Sequence, residues 1–183
     1  MEPVYTFVDA DGVEKPMAFR QDIIKQMSSY KKKFVYYRDY ASKSVSDIFD
    51  APLLENSTRL TFTEPRTIVL LNMSGGRFDV LPLPWQAQIS PVYAIRAEDT
   101  DADGIPDLIL GGNLFSVKPE MGRYDALHGA VLKGKGNGQF TYVPPAKTGV
   151  IVPGETRHIA TLRSAKSKLF AFFRNNGSVV FYK

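Results

Sequence analysis

The stretch "DTDADGIPD", residues 99 to 107, places Asp99, Asp101, Asp103 and Asp107 within nine residues, directly ahead of an apolar run. Like charges repel by about 4 kcal/mol per pair at 4 Å and an effective dielectric near 20. A compensating cation is therefore expected. Ca²⁺ takes roughly six to eight oxygens at about 2.3–2.6 Å, and a tight loop can supply alternate side chains from its first, third and fifth positions. Asp99, Asp101 and Asp103 hold those positions. Gly104 permits the left-handed turn that folds the loop around an ion. The Ile105 carbonyl is expected to point inward, and Asp107 to close the shell from the next strand. Mg²⁺ fits less well because it keeps its waters in a rigid octahedron. An EF-hand needs a Glu at the twelfth loop position, where Leu110 stands, and the flanks "VYAIRAE" and "DLILGG" read as strands. With the acids committed to the ion and no histidine nearby, the site is expected to be structural, and no catalytic residue is assigned.

Three other groups of residues carry chemistry. The long connection "LFSVKPEMGRYDALHG", residues 114 to 129, combines Lys118, Glu120, Arg123, Tyr124, Asp125 and His128. That mixture suits a glycan or a peptide, and a loop of this length is often functional. The plainer expectation is that Arg123 and Asp125 tie the loop down. Trp85 in "PLPWQAQ" offers a sugar-stacking platform, although packing in the core is the stronger expectation for so large a ring. RNA binding would require Lys31, Lys32, Lys33, Lys133 and Lys135 to converge with exposed aromatics on one face. A nucleic-acid partner is not favoured.

These residues must be positioned by a chain of 183 residues, long enough for a real core, with 44% apolar and 23% charged residues. The net charge of +4 permits an anionic partner without requiring one. The absence of cysteine excludes disulfides, thiolate metal sites and a Cys nucleophile. No apolar run approaches the roughly 18 residues of a membrane span. The opening "MEPVYTFVDADG" lacks the pattern of a signal peptide. A longer parent chain is expected.

Residues 3 to 19 read as two strands around the turn "DADG". Over residues 20 to 50 the period changes: Ile23, Ile24 and Met27, then Phe34, Tyr37, Ala41, Val45 and Ile48 follow helical spacing. Pro52 is expected to end the second of two helices. This is the only helical portion expected. From residue 58 strands dominate, and a repeat near 60 residues is visible. Gly76, Phe78, Val80, Leu81 and Pro82 match Gly138, Phe140, Tyr142, Val143 and Pro144. "YAIRAEDTDADGIPDLILGGN" runs parallel to "RHIATLRSAKSKLFAFFRNNG", where Ser and Lys replace the acids. One nearly complete unit has strands near 92–98, 107–112, 129–135 and 139–144. The expected division is 1–57, a hairpin plus helical excursion, and 58–183, the β units, together forming one structural domain. Its open sheet edges leave self-association possible.

The acidic loop, "LILGGN" and the "KGKGNGQF" turn together resemble the FG-GAP or VCBS repeats, the calcium-loop blades of integrin-α-like β-propellers. Residues 58 to 183 look like the C-terminal blades of bacterial VCBS-repeat proteins, some carrying an ASPIC/UnbV label. The resemblance implies a mainly β fold. It would be a partial β-propeller of about one complete four-stranded blade and two partial ones, with a short helical insertion. It also implies Ca²⁺ on Asp99, Asp101, Asp103, the Ile105 carbonyl and Asp107. The implied role is non-catalytic binding of a protein or glycan, in a secreted, periplasmic or cell-surface setting. A polysaccharide-acting enzyme fragment and an RNA-binding module are the alternatives.

Overall fold

The computed structural model describes residues 3–163 and 167–183. Among these residues it is mainly β, with several small antiparallel sheets and no closed barrel. The chain divides into two compact units, Met1–Phe62 and Thr63–Lys183. Among the described residues no helix is long and apolar enough to cross a membrane.

In the first unit, β1 (Thr6–Val8) and β2 (Glu14–Pro16) form a hairpin around the "DADG" turn. The helical excursion differs from the two helices expected. It breaks into α1 (Arg20–Gln26), α2 (Tyr30–Lys33), α3 (Arg38–Ala41), α4 (Val45–Ile48) and α5 (Ala51–Glu55). Local propensity accounts for the fragmentation. Ser28 and Ser29 follow α1, and the run Phe34-Val35-Tyr36-Tyr37 that separates α2 from α3 consists of poor helix formers. Ser44 starts α4 with a reciprocal cap: its hydroxyl accepts from the Asp47 N–H at 3.1 Å, and Asp47 Oδ2 accepts from the Ser44 N–H at 2.9 Å. Pro52 does not end a helix; it lies in the first turn of α5, where its missing N–H costs nothing. The core is Ile23, Phe34, Tyr40, Val45, Ile48 and Phe49. Tyr40, not the expected Tyr37 and Ala41, takes the buried place, and its hydroxyl donates to the Ala18 carbonyl at 2.7 Å.

In the second unit, β3 (Ile68–Asn72) and β4 (Phe78–Pro82) pair as a hairpin. A four-stranded meander follows: β5 (Val92–Glu98), β6 (Asp107–Gly112), β7 (Ala130–Gly134) and β8 (Phe140–Val143). A one-turn helix, α6 (Pro145–Thr148), adds helix outside the expected excursion. β9 (Glu155–Arg163), β10 (Lys168–Asn175) and β11 (Val180–Tyr182) form a three-stranded sheet. Successive side chains point to opposite faces of a strand, and the four-stranded sheet buries both faces. Ile109 and Val131 join Ile159 and Phe172 on one side. Leu110 and Leu132 join Leu83, Ala87 and Leu127 on the other. This double burial is why "LILGG" is apolar without alternation. Ser164 to Lys166, within the stretch that replaces the acids in the second copy, lie outside the described residues.

Candidate metal centre

The acidic turn joins two register-locked strands. Glu98 of β5 pairs with Asp107 of β6, so the residues between them must reverse within a short span. The reversal uses two left-handed residues, Ala102 at φ 64° and Gly104 at φ 83°. The Asp99 carboxylate holds that path: Oδ1 accepts from the Ala102 N–H at 2.7 Å and Oδ2 from the Gly104 N–H at 2.9 Å. Asp103 Oδ1 accepts from the Ile105 N–H at 2.8 Å. Asp107 is almost fully buried, and its two oxygens point different ways. Oδ1 accepts from the Gly134 N–H at 2.9 Å, whereas Oδ2 accepts from the Thr100 N–H at 3.2 Å and from the Thr100 hydroxyl.

Asp99, Asp101 and Asp107 each offer an oxygen, and these oxygens lie within 4.8 Å of one another. Two oxygens bound to one Ca²⁺ are at most about 5 Å apart, so the triad fits such an ion. The donors already on Asp99 and Asp107 do not oppose this, because a carboxylate oxygen has two lone pairs and one N–H occupies only one. Carboxylates alone also match a hard cation rather than a soft one. Asp103 stands beside the triad, with Oδ2 2.9 Å from the Lys133 ammonium. Lys133 also pairs with Asp101. An internal cation thus already offsets part of the repulsion that the sequence exposes.

A second set of charges lies just before the turn. Glu98 is buried and accepts from Arg96 at 2.9 Å, from the Thr161 hydroxyl at 3.0 Å and from Arg163, with the Lys168 ammonium 3.2 Å away. The Arg96 guanidinium, followed by Lys168, Thr161 and Arg163, holds the Glu98 carboxyl down to about 2 against the opposing effect of burial. Lys168 also donates to the Asp99 carbonyl at 2.8 Å, tying the β9–β10 hairpin to the acidic turn.

Gly134 is a site residue that the spacing of acids does not reveal. A Cβ there would lie 2.3 Å from the Pro106 carbonyl oxygen and 2.9 Å from Ile105 Cγ2. Only glycine lets β7 come close enough to donate its N–H to Asp107. The sequence signal was available in "KGKGNG", where a glycine interrupts a strand. Thr100, Lys133 and Lys168 were also missed as site residues, because each acts across a fold contact or through an ordinary polar type.

The loop after β6 is held differently from expectation. Arg123 and Asp125 lie 3.4 Å apart with both side chains more than half exposed, too solvated to tie it down. Its ends are fixed by Asn113, which is fully buried and left-handed at φ 82°. The Asn113 amide donates to the carbonyls of Leu127 at 2.8 Å and Gly154 at 2.9 Å. Its oxygen accepts from the Leu127 N–H at 2.9 Å and the Ser90 hydroxyl at 2.8 Å. All four hydrogen-bonding places of the side chain are filled. Leu114 and Tyr124 then exchange backbone hydrogen bonds of 2.8 and 2.9 Å. Arg123 lies over the Phe115 ring at 4.9 Å. Lys118 precedes a single 3-10 turn, Pro119–Met121, and Glu120 lies within it. Glu120, Tyr124, Asp125 and His128 are exposed.

Trp85 is 70% exposed rather than packed in the core. Its 3-10 turn, Trp85–Ala87, turns the completely buried Ala87 inward instead. Gln88 clamps the base of that turn through Thr67 and Leu83. Of the basic residues considered for RNA, Lys33 donates to the Ile48 carbonyl at 2.8 Å and Lys133 is held by the acidic turn.

Comparison of the chain with protein-family models, with curated proteins and with solved structures gives no match.

Proposed function

We propose that the second unit is a non-catalytic, calcium-stabilised β-repeat module, of the partial-propeller kind that the sequence resembles, serving binding in an extracellular or cell-envelope setting. The observation that carries this reading is the convergence of Asp99, Asp101 and Asp107 oxygens within 4.8 Å at a strand–loop–strand turn. The Asp103 carboxylate and the Ile105 carbonyl complete the proposed shell once the ion replaces the Lys133 ammonium. Calcium then pins β5 to β6 at the point where their pairing ends. An extracellular setting supplies the calcium that modules with dissociation constants of about 10⁻⁴–10⁻³ M require.

Thermal unfolding with calcium or with a chelator tests the reading. A ligand that binds only the native state adds about 2.7 kcal/mol at a hundredfold excess over its dissociation constant. In a chain of this size that corresponds to a rise of roughly 5–10 °C in Tm. Mg²⁺ should give a smaller rise. Superimposable melting curves in calcium and in chelator would count decisively against it.

A further inference from the structure

Beside the acidic turn lies an open cleft of about 330 Å³, lined by Lys133, Lys135, Tyr142, Val143, Pro144 and Lys147. Its volume is at the lower end of small-ligand sites, about 300–1,000 Å³. Its walls are almost wholly hydrocarbon, made by the lysine stems with Tyr142, Val143 and Pro144, and the three lysines bring positive charge to its surroundings. Lys135 and Lys147 have no hydrogen-bond or ion-pair partner for their ammonium groups among the described residues. Lys133 differs from them. It lines the cleft, yet its ammonium is held by Asp101 and Asp103. One side chain is therefore shared between the proposed cation site and a lysine cleft.

We propose that the cleft binds an anionic sugar, a single ring carrying a sulfate or phosphate group, and that calcium in the acidic turn strengthens this binding by releasing Lys133. The proposal rests on the reading of the acidic turn as a calcium site. The ion takes the Asp101 and Asp103 oxygens and repels the ammonium, which turns to join Lys135 and Lys147. Three unpaired ammonium groups then face an oxyanion, and the stems with Tyr142 and Pro144 cover the apolar face of the ring. Without calcium, Lys133 is neutralised by the turn and only two cations remain. The coupling is reciprocal, so the anionic sugar tightens calcium binding by the same factor.

The test uses the full chain. Calorimetric titration with CaCl₂ alone reports on the acidic turn. Amide chemical shifts are then followed as glucose 6-sulfate or glucose 6-phosphate is added, with saturating calcium or with chelator, and with glucose and inorganic sulfate as controls. The expected result is a set of shifts at Gly134, Tyr142, Val143 and Lys147, with a dissociation constant about five- to tenfold lower in calcium. The two sugar esters distinguish sulfate from phosphate as the preferred group. Lys147→Met should weaken sugar binding while leaving calcium binding intact. Lys133→Met should keep calcium binding and remove the calcium dependence of sugar binding. Calcium binding with an unchanged sugar constant overturns the coupling, as do shifts elsewhere or equal shifts with glucose. Absence of calcium binding in the first titration overturns the reading of the turn, and the coupling with it.

Discussion

Asp-Ala-Asp-Gly occurs twice in this chain, at residues 9–12 and 101–104, and the two copies end in different structures. In the first, Asp9 Oδ1 accepts from the N–H groups of Asp11 at 3.0 Å and Val13 at 2.9 Å, and Oδ2 lies 2.7 Å from the Lys15 ammonium. The turn is neutralised from within its own hairpin. In the second, the counter-charge comes from Lys133, across the sheet on β7. The final glycine is left-handed in both, at φ 79° for Gly12 and 83° for Gly104, but only the second copy also turns its alanine left-handed. The cause lies outside the tetrapeptide. Phe7 stands two residues before Asp9, whereas Asp99 stands two before Asp101 and its carboxylate gathers the Ala102 and Gly104 N–H groups. Lys15 stands four after Asp11, whereas Asp107 stands four after Asp103 and anchors the turn to β7. A tetrapeptide therefore sets a turn, and its flanks decide whether that turn can enclose an ion.

The largest difference between the copies should follow from removing their anchors. Asp107→Ala leaves the Gly134 N–H without its partner in a buried place, at a cost of about 1–3 kcal/mol, and should abolish the calcium-dependent rise in Tm. Asp9→Ala should change the melting temperature by less and leave its response to calcium intact. If the two substitutions had the same effect on that response, the distinction drawn between the turns would be wrong.

The two glycines sharpen the comparison at the backbone. A Cβ at Gly12 meets nothing within 4 Å, so Gly12→Ala should cost only the left-handed strain of roughly 1–2 kcal/mol. Gly134→Ala instead drives a methyl group into the Pro106 carbonyl, and should lower both stability and calcium affinity. Paired denaturant melts and calcium titrations of the two variants measure this. Retention of full calcium affinity in Gly134→Ala would remove β7 from the account of the site.

A separate effect is expected in the acid limb. Glu98 sits at about 2 in the folded chain against an ordinary 4.5, so its depressed value stabilises the fold above 4.5. That contribution is lost as pH falls from 4.5 towards 2. Glu98→Gln should flatten this part of the curve of Tm against pH. Asp9 is also lowered, chiefly by its hydrogen bond with Lys15, but its surroundings are more open. Asp9→Asn should therefore alter the acid limb in the same direction as Glu98→Gln but by less.

The contrast also explains what could be read from the sequence. The strands of the four-stranded sheet were legible at 92–98 and 107–112 because strong turn chemistry bounds each apolar segment. The acidic turn was legible because its ligand-type residues are local. The Lys133 and Lys168 contacts were not, since they depend on the register of β7 and on the path of the β9–β10 hairpin. Residues 20–50 misled because helical spacing marks which side chains face a core, and short helices joined by turns preserve much of that spacing. Trp85 misled because a large ring is usually buried, yet in a 3-10 turn this short the small Ala87 fits beneath the chain and the indole does not.

Asn113 carries a consequence for how the chain can vary. Its side chain fastens both the N–H and the carbonyl of Leu127, closing a ring of backbone whose two ends meet inside the core. Everything between is outside the clasp, and lengthening such a loop costs only about 0.6 kcal/mol per doubling. The segment from Ser116 to Gly122 is thus a place where foreign peptide can be grafted while the sheet beneath keeps its shape.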